Sequence, residues 1–231
     1  MSDSCVELVT FDQLLRRYPQ LEQHRIAPTG GAFCRAERLK GGGAAGTYAM
    51  PRPMAPTGDK HFFGFYLTDR RLLLAEEGGF LRGLAGDLES QTPAQALAEL
   101  FARLLQEDMP TLQKYEKRLT ALEEALMQDQ AQDLDKKLFR IRRELSVFAA
   151  YYEQLDDLFA ALSDETEESD AHASRLFDRL TGRAQRLLSA TELEKEYALQ
   201  LREMHQTQLD MRQNQIMKIL TIVTTVFLPL S

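Results

Sequence analysis

The chain has 231 residues, ordinary apolar content and a formal net charge of -7, a length for one large domain or two smaller ones. The acidic balance argues against a nucleic-acid surface and favours cations as partners. Only two cysteines occur, Cys5 and Cys34, too few for a disulfide framework and consistent with free thiols in a reducing compartment; nor does the N-terminus show the basic and apolar regions of a signal peptide.

In chain order, residues 6–9 read as a short strand and residues 11–18 as a short helix stopped by Pro19. Gly30-Gly31, Gly41-Gly42-Gly43 and residues 51–58 read as loops. The glycine triplet lacks the Lys-Ser/Thr of a phosphate-binding loop. Residues 61–67 and 71–75 predict two strands joined by Thr68-Asp69-Arg70, with Phe62, Phe63, Phe65 and Tyr66 as sheet packing. A short helix is expected within residues 80–88. The expected first unit is therefore a small α/β layer over residues 1–90.

From Thr92 the chain turns helical. Thr92-Pro93-Ala94-Gln95 combines an N-cap hydroxyl, proline at the first helical position and glutamine three residues after the cap. Pro110 kinks or interrupts that helix because it has no N–H to donate. Leu112, Tyr115, Leu119, Leu122 and Leu126 form one apolar seam, and Leu134, Leu138, Ile141, Leu145, Phe148, Tyr152 and Leu155 form a second. Joined by the polar residues 127–133, they predict an antiparallel helical hairpin over residues 91–170. Between Tyr151 and Asp170 lie acidic residues and no Lys or Arg. Asp164, Glu165, Glu167, Glu168 and Asp170 are expected in the turn before the last helix, either as a solvated turn or as a mouth that concentrates cations. They lack the order of a calcium loop.

Residues 171–231 are the expected last unit. No Pro or Gly separates Ala184 from Leu228, and Leu187, Leu193, Tyr197, Leu201, Met204 and Leu209 recur three to six apart, which predicts one long amphipathic helix. It feeds without a break into residues 219–231, which carry no charge. That run is shorter than the roughly 20 apolar residues that cross a bilayer. Three readings compete for it: a last core strand, an interfacial anchor, or the first half of a transmembrane helix. Asn214, Met217, Leu220, Thr224 and Leu228 share one helical face, as suits a narrow channel or an ordinary helix interface.

Catalytic patterns are absent. His24, His61, His172 and His205 are dispersed, with no zinc spacing, nucleophile elbow or kinase set. The chain is not expected to be an enzyme.

The segment Asn214-Gln-Ile-Met217-Lys218-Ile-Leu220-Thr-Ile-Val-Thr224-Thr-Val-Phe227-Leu228-Pro229-Leu-Ser231 resembles the stalk-to-membrane junction of the CorA-like divalent-cation transporters. Identities and spacings coincide across it, and residues 138–162 resemble the family's preceding helix. In that family the following residues complete the first membrane helix and carry a Gly-Met-Asn signature. The resemblance implies an α+β fold: a small N-terminal α/β head, an antiparallel helical hairpin and a very long C-terminal stalk helix entering the membrane. It implies a homopentamer that moves divalent cations, most often Mg2+ and in some relatives Co2+, Ni2+ or Zn2+, with metal-dependent gating. The pore positions it implies are Glu203, Asp210, Asn214, Met217, Leu220, Thr224 and Leu228. Lys218 lies off that face. A regulatory Mg2+ site is implied at Asp178, with Asp69 or Asp87 as candidate partners from the head. This portion is then cytoplasmic, in the inner or plasma membrane protein of a bacterium, and Arg212 and Lys218 agree with a positive-inside orientation. The alternative is a soluble coiled-coil scaffold or signalling adaptor whose apolar tail is buried in its own core; a membrane-surface protein anchored through Phe227 comes third.

Overall fold

The computed structural model describes residues 5–24, 26, 33–40, 42–53, 55–86, 88, 90–129 and 132–227. Leu228, Asp87 and the expected loop positions Gly30, Gly31 and Gly41 lie outside the described residues.

The N-terminal part is one five-stranded sheet with helices on both faces. Its elements are β1 (Val6–Val9), α1 (Phe11–Arg17), a 3-10 turn (Pro19–His24), β2 (Arg35–Arg38), β3 (Ala44–Met50), β4 (His61–Leu67) and β5 (Leu72–Ala75). The strand order is β1-β5-β4-β3-β2, with β1 parallel to β5 and every other pair antiparallel. Alternation along the strands divides the core in two. Phe63, Phe65, Leu67, Leu72 and Leu74 face the helical part, whereas Leu73 and Ala75 face Phe11, Leu14 and Leu21. Gly64 is required on that second face, since a Cβ there would lie 2.3 Å from Ile26 Cγ2. Thr10 caps α1 through a reciprocal pair with Gln13.

The hairpin of β4 and β5 matches the expectation. Strands β2 and β3 go beyond it: residues expected only to flank loops pair antiparallel around Gly42 and Gly43, both at positive φ. The small side chains of Ala44, Ala45 and Ala49 in β3 are almost fully buried. They give little strand signal in sequence because Ala and Gly are weak strand formers.

The rest is helical: α2 (Arg82–Ala85), α3 (Pro93–Leu104), α4 (Asp108–Met127), α5 (Leu134–Thr166) and α6 (Ala171–Phe227). Thr92 caps α3 as expected, its hydroxyl accepting from the Gln95 N–H at 3.2 Å. The chain breaks after α3 and restarts so that Pro110 falls in the first turn of α4, where an N–H has no partner to lose. Helices α4 and α5 run antiparallel, with Tyr115 and Phe148 ring centroids 5.9 Å apart and Arg118 bonded to Glu144 at 3.1 Å. The most extensive helix packing, however, is α5 against α6, so the expected hairpin is two sides of a three-helix unit.

Helix α6 has 57 residues, about 85 Å at 1.5 Å per residue. Its first half packs on α3, α4 and α5. Leu201 is its last buried residue, and every residue from 209 to 226 is exposed. The strand reading of the tail is overturned, since helix continues through Phe227. Burial of the tail in its own core is overturned as well. The hydroxyls of Thr221, Thr224 and Thr225 donate to backbone carbonyls one turn earlier, so they are satisfied within the helix. No described helix is long and apolar enough to cross a membrane.

Candidate functional site

The candidate pathway residues Glu203, Asp210, Asn214, Met217, Leu220 and Thr224 are all exposed on α6. At 100° per residue they fall within an arc of about 120°. The opposite side of the helix holds the packing. Leu201 is buried there, His205 lies 3.6 Å from Asp135 at the start of α5, and Arg212 pairs with Asp129 in the turn after α4. By the same rotation these three lie about 120–160° from the middle of the stripe. The stripe has no partner among the described residues, and beyond Arg212 the helix is exposed on every side, with Met217 and Leu220 61% and 55% exposed and Ile216, Ile219 and Ile222 equally bare. Bare aliphatic side chains at this density mark an interaction surface. Lys218 lies to one side of the stripe and is exposed.

Polar groups along the stripe supply acceptor oxygens, and the Asn214 amide offers N–H donors as well. Thr224 spends its proton on the carbonyls of Leu220 and Thr221, each at 3.0 Å, which leaves the hydroxyl lone pairs outward. Asp210 and Glu203 add carboxylates above it.

The acidic turn between α5 and α6 is more structural than its composition implies. Asp164 and Glu165 belong to α5. Glu165 accepts from the Gly43 N–H at 2.9 Å and pairs with Arg38 at 2.9 Å, tying the β2–β3 turn to the helices. Asp170 caps α6 by accepting from the N–H groups of His172 and Ala173, and it also accepts from Thr92 at 2.5 Å and Gln95 at 3.0 Å. Burial raises its pKa, but the bonds from Thr92, Ala173, Gln95 and His172 outweigh this and hold it below the usual carboxylate value. Asp164, Glu167 and Glu168 remain exposed.

Asp178 is exposed and accepts from Ser163 Oγ at 2.6 Å. Among the described residues no group of three or more His, Cys, Asp or Glu side chains could hold a metal ion. A cation at Asp178 therefore needs ligands from elsewhere.

A buried polar cluster escaped the sequence reading. Asp108, 5% exposed, begins α4 where α3, α5 and α6 meet. Its Oδ2 and the Tyr152 hydroxyl have no hydrogen-bond partner among the described residues, and the neighbouring Tyr48 and Tyr151 hydroxyls bond to each other at 2.5 Å. Burial pushes the Asp108 carboxyl up to about 7, with Tyr152 and Arg183 offsetting only part of the effect. No pattern in the run Gln106-Glu107-Asp108 distinguishes this acid from an exposed one.

Residues 65–231 match the family described as CorA-like Mg2+ transporter protein. Comparison with curated proteins finds no match. Among solved structures, full-length CmaX is similar at 20% identity and a TM-score of 0.73, over 94% of this chain and 73% of that one. The complete CorA magnesium transporter of Methanocaldococcus jannaschii is similar at 19% identity and a TM-score of 0.73, over 96% and 74%. The ZntB cytoplasmic domain of Vibrio parahaemolyticus RIMD 2210633 is similar at 11% identity and a TM-score of 0.58, over 89% and 87%. At these identities the structures share a fold with this chain.

Proposed function

The chain belongs to the CorA-like Mg2+ transporter family, and on that premise we propose that it is the cytoplasmic portion of a channel-like transporter for divalent cations, Mg2+ foremost. In this reading the head comprises residues 1–90, the helical hairpin residues 91–170, and the stalk residues 171–231. Five copies set their α6 stripes around a common axis, and α6 continues into the membrane. The family sets the activity as transport rather than enzyme catalysis.

The observation that carries the proposal is the placement of the stripe opposite the packed side of α6. Helices α4 and α5 lie outside, so the stripes can meet without rearranging the chain. Mg2+ sheds its waters reluctantly, and a hydrated ion presents water hydrogens outward. The outward lone pairs of Thr224, the Asn214 amide oxygen and the acids Asp210 and Glu203 would accept those hydrogens. Met217 and Leu220 would form aliphatic constrictions, with Leu228 as a further ring. Weak, repeated contacts of this kind let an ion leave as well as enter. Co2+, Ni2+ and Zn2+ differ from Mg2+ in binding nitrogen and sulfur more strongly, and apart from the Met217 thioether the described part of the stripe offers oxygen.

The test is uptake into lipid vesicles by a protein carrying this chain and its membrane segments. Mg2+ influx should follow its gradient, and Asn214→Leu should lower it by roughly tenfold or more, about 1.4 kcal/mol, without loss of assembly. Undiminished influx in that variant would remove Asn214 from the path.

Asp178 is proposed as one ligand of a regulatory Mg2+ shared with a neighbouring head, with Asp69 or Asp87 opposite. Removing the ion would leave carboxylates that repel and loosen the subunits. Mg2+ at about millimolar concentration, the weak end for carboxylate sites, should protect the assembled protein from limited proteolysis. Asp178→Ala should weaken that protection, and protection equal to the unaltered protein would exclude Asp178 as a ligand.

A further inference from the structure

Between α3 and the first turns of α6 runs a groove of about 790 Å³. Its floor is apolar, formed by Ala98 and Ala102 from α3 and Leu176 and Leu180 from α6. Along one side stand Arg179, Arg183 and Arg186, which share one face of the helix over two turns, about 10 Å. Arg179 and Arg186 make no ion pair or hydrogen bond among the described residues. Arg183 donates to the Leu105 carbonyl at 2.8 Å, which holds its guanidinium at the groove wall. The groove's acid, Glu99, is already engaged by Arg103 and by the Ser90 hydroxyl, each at 2.6 Å. In a chain of net charge -7, Arg179 and Arg186 are a local excess of guanidinium beside an apolar floor, with Arg183 set between them and the buried Asp108.

That pairing selects the ligand. A bare anion uses only the arginines and leaves the floor idle. An anionic lipid cannot arrive from a bilayer, because Arg186 lies about 50 Å along the helix from Ile219. A flat heterocycle resting on the alanines and leucines, with a chain of phosphates along the guanidiniums, uses both. We propose that this groove binds a nucleoside polyphosphate. By rotation along α6 it sits on the side away from the proposed cation stripe, so an anion held here does not block that path. The choice against a lipid rests on the transport reading, which puts the membrane beyond Ile219; the groove and its arginines do not depend on it.

Calorimetric titration of the 231-residue chain with ATP, free of divalent ions, tests the assignment. ATP should bind, inorganic triphosphate should bind at least tenfold more weakly, and Arg179→Ala/Arg186→Ala should weaken ATP at least tenfold, each about 1.4 kcal/mol. Both arginines are exposed, so the variant should melt like the unaltered chain. Asp178→Ala should leave ATP binding unchanged, which separates this site from the proposed cation sensor. No ATP binding, binding unaffected by the double substitution, or triphosphate binding equal to ATP would each overturn the proposal.

Discussion

Raising the pH from about 4 to about 7 should cost the folded chain up to about 4 kcal/mol through Asp108 alone. The carboxyl keeps its proton in the folded state up to about 7, against an ordinary value of 3.8. Within that window the unfolded chain binds fewer protons at this site, so stability falls as pH rises. Below the window the penalty vanishes, and above it the loss is complete and constant. The cause is burial of a carboxylate at the joint of α3, α4, α5 and α6; Arg183 and the Tyr152 hydroxyl offset part of that penalty, and Glu107 adds to it. Asp108→Asn removes the titration. Urea denaturation at a series of pH values should show a slope in the unaltered chain that flattens in the variant. Equal slopes in both would show that Asp108 is ionised in the folded state at ordinary carboxylate pH.

The second large effect is expected at Phe101. This α3 side chain is fully buried between the sheet and α5. Its ring centroid lies 5.0 Å from Tyr48, 5.3 Å from Phe159, 5.9 Å from Phe65 and 6.4 Å from Phe63. Aromatic rings on three elements, β3, β4 and α5, meet through this one group, so Phe101→Ala should leave a cavity that rigid neighbours cannot close. A loss of about 3–5 kcal/mol follows, read as a lower denaturant midpoint with an unchanged slope. A loss below about 1 kcal/mol would mean that head and helices do not share one core there.

The parts legible in sequence are those whose signal is local. Thr92 with Pro93 marks the start of α3, because the cap and its acceptor sit three residues apart. The alternation in β4 and the apolar run of β5 mark the hairpin. Asp170 could not be chosen from its run of acids, since its partner Thr92 lies 78 residues away. Strand β3 carries small side chains whose role is to let neighbours approach, and no pattern announces that. The spacing of Asn214, Met217, Leu220 and Thr224 placed them on one face of a helix. It did not reveal that this face is opposite the packed one, which depends on the pairs of His205 with Asp135 and Arg212 with Asp129.

The central claim is that the free stripe of α6 faces its counterparts in other copies. Disulfide cross-linking in the protein carrying its membrane segments tests it most directly. Cys34 can stay in place, since it is buried and its thiol is pushed up to about 12, beyond reactive range; half-buried Cys5 should be replaced by Ser. Asn214→Cys, Met217→Cys, Leu220→Cys and Thr224→Cys should each cross-link copies into dimers under mild oxidation, and Lys218→Cys should not. Cross-linking at Lys218→Cys as efficient as along the stripe, or none along the stripe in an assembled protein, would contradict the claim.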